Sequence, residues 1–232
     1  MIADVHSHIL YGIDDGARNA DETCSLLSRL KETGVTHLAL TPHYYPYKES
    51  IESFLQRRGD AFDRLLRLPE AEGFTLTLGA EVYLHESLLN NEDLVPLCYR
   101  NTRYMLTELE YDSYFTDAAR YRLLRLIEDF GVVPVLAHIN RYPFLWKNLS
   151  LLEELKKRGC CFQVNVTSLK SFFARKQAIK LYRNGFLDFL GEDVHRSAMT
   201  SEEKRKLFSA LSKSQKDFLQ RVSGEAKSRL FV

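Results

Sequence analysis

The sequence carries no surplus of charge, no long apolar run and few cysteines. Lys and Arg number 32 against 31 Asp and Glu, which leaves a net charge of +1 over 232 residues. Without a basic excess or a basic tract there is no field to favour a nucleic-acid partner, and a nuclease reading loses its footing. No apolar stretch approaches the ~18 residues that cross a bilayer. The chain runs from Met1 straight into an apolar strand, without a basic region, apolar core and small-residue cleavage site. A soluble, cytoplasmic chain with no membrane insertion is therefore expected. Cys24, Cys98, Cys160 and Cys161 lack paired zinc-ribbon spacing and read as buried small hydrophobes. No linker, low-complexity tract or internal repeat stands out, so a single domain over residues 1–232 is expected.

What is present is alternation. With 45% hydrophobic residues the chain is able to bury a sizeable core. Seven short apolar segments read as strands: 2–5, 35–40, 74–78, 104–107, 132–137, 161–166 and 186–190. Helical patterns fall between or after them. Asn19-Ala20-Asp21-Glu22 resembles a capping box for a helix that stops at Gly34, and further helices are expected over 50–68, 117–130, 151–158, 174–184 and 201–211. Runs such as Val132-Val133-Pro134-Val135-Leu136-Ala137 lack a polar alternate face, as parallel strands covered by helices do. An α/β fold of the TIM-like kind, a distorted seven-stranded (β/α)7 barrel, is the expectation.

Nine metal-capable side chains sit just beyond those strands. His6 and His8 follow the first, and Asp15 lies in the segment after it. His43 follows the second strand, Glu81 the third, Glu108 the fourth and His138 the fifth, while Asp193 and His195 follow the last. In a parallel barrel the carboxyl ends share one mouth, so residues far apart in sequence are expected to converge there. A lone strand-end histidine is usually a hydrogen-bonded structural residue; five of seven histidines at equivalent ends are not so explained. His6-Ser7-His8 adds that alternation along an extended chain puts both rings on one side, where they chelate one ion. His37, inside a strand, and His85 read as structural.

Together, His6-Ser7-His8, Asp14-Asp15-Gly16-Ala17, Thr41-Pro42-His43, Gly79-Ala80-Glu81, Ala137-His138-Ile139-Asn140-Arg141-Tyr142 and Asp193-Val194-His195 resemble the polymerase and histidinol phosphatase (PHP) superfamily. More narrowly they resemble its bacterial protein-tyrosine phosphatases of capsule and exopolysaccharide biosynthesis. The resemblance runs from Met1 to about His195 and is specific in order and spacing. It implies a PHP barrel with three divalent ions, manganese first, iron or zinc as alternatives. His6, His8, Glu81 and Asp193 would hold one ion. Glu81 would bridge to a second, with Glu108 and His138, and Asp15, His43 and His195 would hold the third. Asp15 is chosen over Asp14 because the family places this ligand directly before the glycine, and Glu110 is a fallback for the second ion.

Four carboxylates, five neutral imidazoles, three divalent ions and one hydroxide leave a net positive centre that welcomes a phosphate dianion. The implied reaction is hydrolysis of a phosphomonoester by activated hydroxide, in line and without a phosphoenzyme. Arg141 is the candidate grip on the phosphate, because a guanidinium binds phosphoryl oxygens in a two-pronged way. Arg196 is the second candidate, although relatives place an arginine several residues beyond the final Asp-x-His rather than beside it. Glu192 also departs from the family, which often has a small or hydroxyl residue there. The thiol route is set aside: no cysteine has an arginine at the offset its phosphate loop needs, and Cys24 with Arg29 is one position short. Tyr44, Tyr45 and Tyr47 read either as a slot for an aromatic ring or, preferably, as loop packing. The implied partner is a phosphotyrosine-bearing protein, the tail of a bacterial tyrosine kinase. A small-molecule phosphatase of the histidinol-phosphate type and a non-catalytic regulatory module stay open, as does the oligomeric state.

Overall fold

A computed structural model of the chain describes residues 3–111 and 114–232. Nine strands are parallel throughout: β1 (Ala3–Asp4), β2 (His37–Leu40), β3 (His43–Tyr44), β4 (Thr75–Leu78), β5 (Glu81–Tyr83), β6 (Tyr104–Glu108), β7 (Val133–Leu136), β8 (Cys161–Asn165) and β9 (Phe189–Gly191). They form a three-stranded sheet ordered β1-β2-β4 and a six-stranded sheet ordered β3-β5-β6-β7-β8-β9. Among the described residues nine strand segments thus stand where seven strands were expected. The segments called strands two and three each break, at Thr41-Pro42 and Gly79-Ala80, and resume as β3 and β5. A proline has no N–H for the ladder, which accounts for the first break. Of the expected first strand, Ile2 lies outside the described residues.

Main-chain bonds from Val5 N to Leu190 O, Asp193 N to His6 O and His8 N to Val194 O tie the first strand's exit to the last's. The carboxyl ends of β1 and β9 therefore lie side by side. Inside, Val5, Ala39, Leu106, Val135, Ala137, Cys161 and Phe189 form one buried cluster, with Tyr99 and the helical Ala226 and Leu230. Their neighbours in sequence, such as Leu136, Phe162 and Leu190, pack outward under the helices. Both faces of β6 to β9 are buried, as the near-continuous apolar runs predicted.

The helices are α1 (Ala20–Glu32), α2 (Ile51–Leu65), α3 (Asp117–Glu128), α4 (Pro143–Trp146), α5 (Leu149–Arg158), α6 (Phe172–Arg183), α7 (Ser201–Ser209) and α8 (Lys213–Leu230). Only half of the expected capping box on α1 forms. Asn19 accepts from Glu22 N, but the Glu22 carboxylate turns to Arg18. Helix α5 shows how the outer layer holds: Asn148 caps it, Gly159 ends it in the left-handed region, and Leu151, Leu152 and Leu155 are buried. Each such leucine contributes about 1.5–3 kcal/mol of burial. Helix α8 was not foreseen; its face of Phe218, Leu219, Val222, Ala226 and Leu230 is buried, and Ser223 Oγ accepts from Ala3 N at 2.9 Å. Among the described residues no helix is long and apolar enough to cross a membrane.

Candidate metal centre

The rim is organised around Glu81, which opens β5 and is 1% exposed. His6 Nε2 lies 2.9 Å and His8 Nε2 3.0 Å from its Oε2, and His138 Nε2 lies 3.0 Å from Oε1. His43 Nδ1 is 3.3 Å from Oε2. The His6 and His8 Nε2 atoms are 3.0 Å apart, both on one side as the His-x-His spacing requires. Ser7 points the other way, with its Oγ donating to Ala39 O at 2.6 Å.

Three groups of ligand atoms lie within 4.8 Å of one another: His6, His8, Glu81 and Asp193; His43, Glu81 and Glu108; and His8, Asp15, His43 and His195. Asp15 Oδ1 faces His43 Nε2 at 3.6 Å and His195 Nε2 at 3.4 Å. Asp14 has a different place: its Oδ2 lies 2.7 Å from His8 Nδ1 and accepts from His43 N, and its Oδ1 accepts from Gly16 N. Such a carboxylate behind an imidazole fixes which ring nitrogen faces the centre. His138 Nε2 approaches Glu108 Oε1 at 3.6 Å. His43 Nδ1 approaches Glu108 too, at 3.9 Å, which makes His43 a member of two groups. Glu110 is drawn off by Arg122 at 3.4 Å, because β6 ends at Glu108.

The donor set suits cations on physical grounds. Ligand atoms on one ion at about 2.1 Å are about 3.0–3.4 Å apart, the edge of an octahedron or tetrahedron, and the shorter separations here fall in that range. Among the described residues, His43 Nδ1, His138 Nδ1 and Asp193 Oδ1 at the rim are buried without a hydrogen-bond partner, as are Asp4 Oδ2 and Glu192 Oε2 behind it. Burial, and then the charge of Glu81, push the Glu108 carboxyl up to about 8. Two carboxylates so close stay ionised together only if a cation is shared.

The backbone is shaped for this. His138 and Asp193 adopt φ 32° and 55°, the left-handed region that costs an L-residue about 1–2 kcal/mol. Gly191 is required because a Cβ there would lie 2.5 Å from His6 Cβ, and at Gly16 it would meet His8 O at 1.9 Å.

Arg141 stands at the edge, paired with Asp193 Oδ2 and 3.4 Å from Tyr111 OH. Arg196 stands elsewhere. It is exposed, forms no ion pair among the described residues, and adds its charge to that of Arg18 in lowering Glu22 on α1. Glu192 is buried behind the rim and accepts from Lys204 Nζ at 2.7 Å. Tyr44 packs on Phe54, in keeping with loop packing, whereas Tyr45 stacks on His43 at 5.3 Å. His37 meets Phe231 edge-on and His85 accepts from Ser87 N, both structural as read.

Three supporting residues escaped the sequence reading. Gln163 Oε1 accepts from His138 N and lies 3.4 Å from His6 Nδ1; Gln163 Nε2 donates to Asn165 Oδ1, and Asn165 Nδ2 donates to Asp193 Oδ2, both at 2.9 Å. Asn140 Oδ1 accepts from Asn165 N at 3.0 Å. The available signal was Gln163 and Asn165 at alternate positions of an otherwise apolar strand, which places both on the inner face.

A parallel α/β fold whose strand ends gather imidazoles and carboxylates into overlapping groups defines a metal-dependent centre of the hydrolase kind. The chain belongs to the capsular polysaccharide synthesis family CpsB/CapC, whose pattern matches residues 2–229. It is similar to the tyrosine-protein phosphatase CpsB of Streptococcus pneumoniae, 28% identical over 207 residues that cover 83% of this chain and 82% of that one. Tyrosine-protein phosphatase YwqE of Bacillus subtilis is 25% identical over 202 residues, 83% and 76% of the two chains. Among solved structures, one from a crystallographic description of YwqE and CpsB as metal-dependent tyrosine phosphatases superposes with a TM-score of 0.72. It covers 97% of this chain and 95% of its own at 20% identity, which is a likeness of fold.

Proposed function

We propose that the chain is a metal-dependent protein-tyrosine phosphatase, a phosphoric monoester hydrolase acting on a phosphotyrosine-bearing protein. The single observation that carries this is Glu81, buried with four imidazoles within 3.3 Å and a second carboxylate beyond them. In this reading His6, His8, Glu81 and Asp193 hold one ion, Glu81, Glu108 and His138 a second, and Asp15, His43 and His195 a third, with manganese, iron or zinc as the metal. Divalent ions held there would neutralise the carboxylates and bring the pKa of water toward ~7.

The chain's own groups do the rest. Asp14 and Gln163 orient the His8 and His6 rings, and Asn165 holds Asp193. Arg141 exchanges Asp193 for the phosphoryl oxygens when substrate arrives, its guanidinium being the exposed cation of the edge. No phosphoenzyme is required. Of the described cysteines Cys98, Cys160 and Cys161 are buried and Cys24 lies on α1, so a thiol has no part. A phenol with pKa ~10 leaves without a strong general acid. Counting β2 with β3 and β4 with β5 as single staves supports reading the fold as the seven-stranded distorted barrel of the PHP superfamily. The family's capsule context supports the tail of a bacterial tyrosine kinase as the partner.

The test is hydrolysis of a phosphotyrosine peptide and of histidinol phosphate after manganese, iron or zinc is added back to stripped protein. Cleavage of the peptide in preference is expected. If only the small ester is cleaved, the protein-phosphatase assignment falls; if neither is, so does the enzyme.

A further inference from the structure

Helix α6 reads Phe-Phe-Ala-Arg-Lys-Gln-Ala-Ile-Lys-Leu-Tyr-Arg, four cations and no carboxylate. Some exposed cations elsewhere are partnered, Lys170 by Glu203, Lys206 by Glu202 and Arg57 by Glu49, while others, Arg196 among them, are not. Arg175, Lys176, Lys180 and Arg183 form no ion pair among the described residues. Lys176, Lys180 and Arg183 are exposed and, at spacings of four and three, share one face. Overall neutrality conceals this local field.

The same three residues line a groove of about 700 Å³, with Leu181, Phe173 and the α4 residue Trp146 among its apolar walls. Phe172 and Phe173, 66% and 81% exposed, stand at the helix's first turn, which follows β8 from the rim. Asn140 also lines the groove. It is bonded to Asn165, and Asn165 to Asp193, so the groove begins two hydrogen-bonded residues from the metal centre.

We infer that this groove takes an acidic, extended stretch of the protein substrate that flanks the phosphotyrosine. The inference rests on the phosphotyrosine reading of the rim. Carboxylates on such a stretch match the unpaired cations, its apolar side chains cover the walls, and continuity with the mouth sets its position. A bilayer is a flat surface and would leave a concave, Trp-walled groove unfilled.

Trp146 is the chain's single tryptophan, so its emission reports occupancy of the groove without any need for turnover. Full-length protein is titrated with an unphosphorylated acidic peptide and with an analogue carrying Asn and Gln for Asp and Glu. The acidic peptide is expected to shift the emission saturably and to bind about tenfold more tightly than the analogue, a preference lost in high salt. The double variant Lys176→Glu/Lys180→Glu is expected to abolish that preference. In turnover it should lower the ratio of kcat/KM for acidic over neutral phosphotyrosine peptides about tenfold, through KM. The milder Lys176→Gln/Lys180→Gln serves if the reversed charges disturb folding. Equal binding of the two peptides overturns the inference, as does a variant that keeps the preference. So does an emission shift with phosphatidylglycerol vesicles or a single-stranded oligonucleotide but none with the acidic peptide. If no phosphotyrosine peptide is hydrolysed under any metal while Trp146 still distinguishes the acidic peptide, the catalytic proposal falls and the acidic occupant stands.

Discussion

Glu192 and Asp193 are adjacent in sequence yet serve two different buried ionic clusters. Asp193 faces forward to His6, His8 and Arg141. Glu192 faces back into a pocket with Asp4 and Lys204, where its N–H donates to Asp4 Oδ1 at 2.8 Å and its Oε1 accepts from Lys204. The rear cluster carries its own counter-charge, a lysine only 4% exposed delivered by α7. The front one gathers carboxylates around neutral-capable imidazoles, with only Arg141 at its edge. Burial, and then the charge of Glu192, push the Asp4 carboxyl up to about 7, so even the rear cluster is not fully compensated by one lysine. Desolvated charge is costly in both places. One draws its counter-charge, a single lysine, from within the chain; the other is arranged for ions taken from solution.

That contrast is broken most severely by alanine at Asp193 or His138. Turnover of a phosphotyrosine peptide is expected to fall beyond a thousandfold with the far-ultraviolet circular dichroism retained, and undiminished rates would take those residues out of the centre. Next comes Lys204→Met, which strips the rear cluster of its cation and leaves Asp4 and Glu192 buried together. A loss of about 3–5 kcal/mol is expected in urea unfolding at fixed metal concentration, and a loss below 1 would deny the pair its role. Metal addition separates the clusters further. Manganese at 100 times its Kd should stabilise the wild-type protein by about 2.7 kcal/mol, and an Asp193→Ala variant by clearly less, seen as a smaller rise in Tm. The smallest effect is at the thiols. Burial pushes Cys98 and Cys160 each up to about 12, so at pH 8 neither should react with iodoacetamide in the native protein, and rapid double modification would contradict their packing.

Much of the rim was legible because its candidate ligands lie near strand ends, and strand ends are marked by apolar runs. Glu108 and His138 fall where that rule places them, whereas His43 and Glu81 open the short strands β3 and β5 that resume after the breaks. The choice of Asp15 over Asp14 came from the family resemblance, and the geometry gives the two residues separate jobs, one facing the imidazoles of His43 and His195, the other bracing His8. The breaks in the second and third staves were less legible, since Gly79-Ala80 interrupts a ladder without changing the apolar pattern. Helix α8 was missed because its apolar positions are diluted by Lys, Arg and Ser, and only packing on Ala3 and Val5 shows which of them are buried. Arg196 was offered in place of the arginine that relatives carry several residues beyond the final Asp-x-His; it is exposed, and its charge acts on Glu22 of α1. Gln163 and Asn165 were passed over because amides have no charge to attract notice, although they connect three of the ligands.

The left-handed backbone at His138 and Asp193 has a practical corollary for anyone rebuilding this rim. Asparagine tolerates that conformation far better than most side chains. Asp193→Asn therefore removes one negative charge while leaving the main chain at ease, whereas a β-branched replacement would force the peptide to swing and drag its neighbour with it. Replacement at these two positions is accordingly restricted by torsion to a narrow set of residues, whatever the side chains bind.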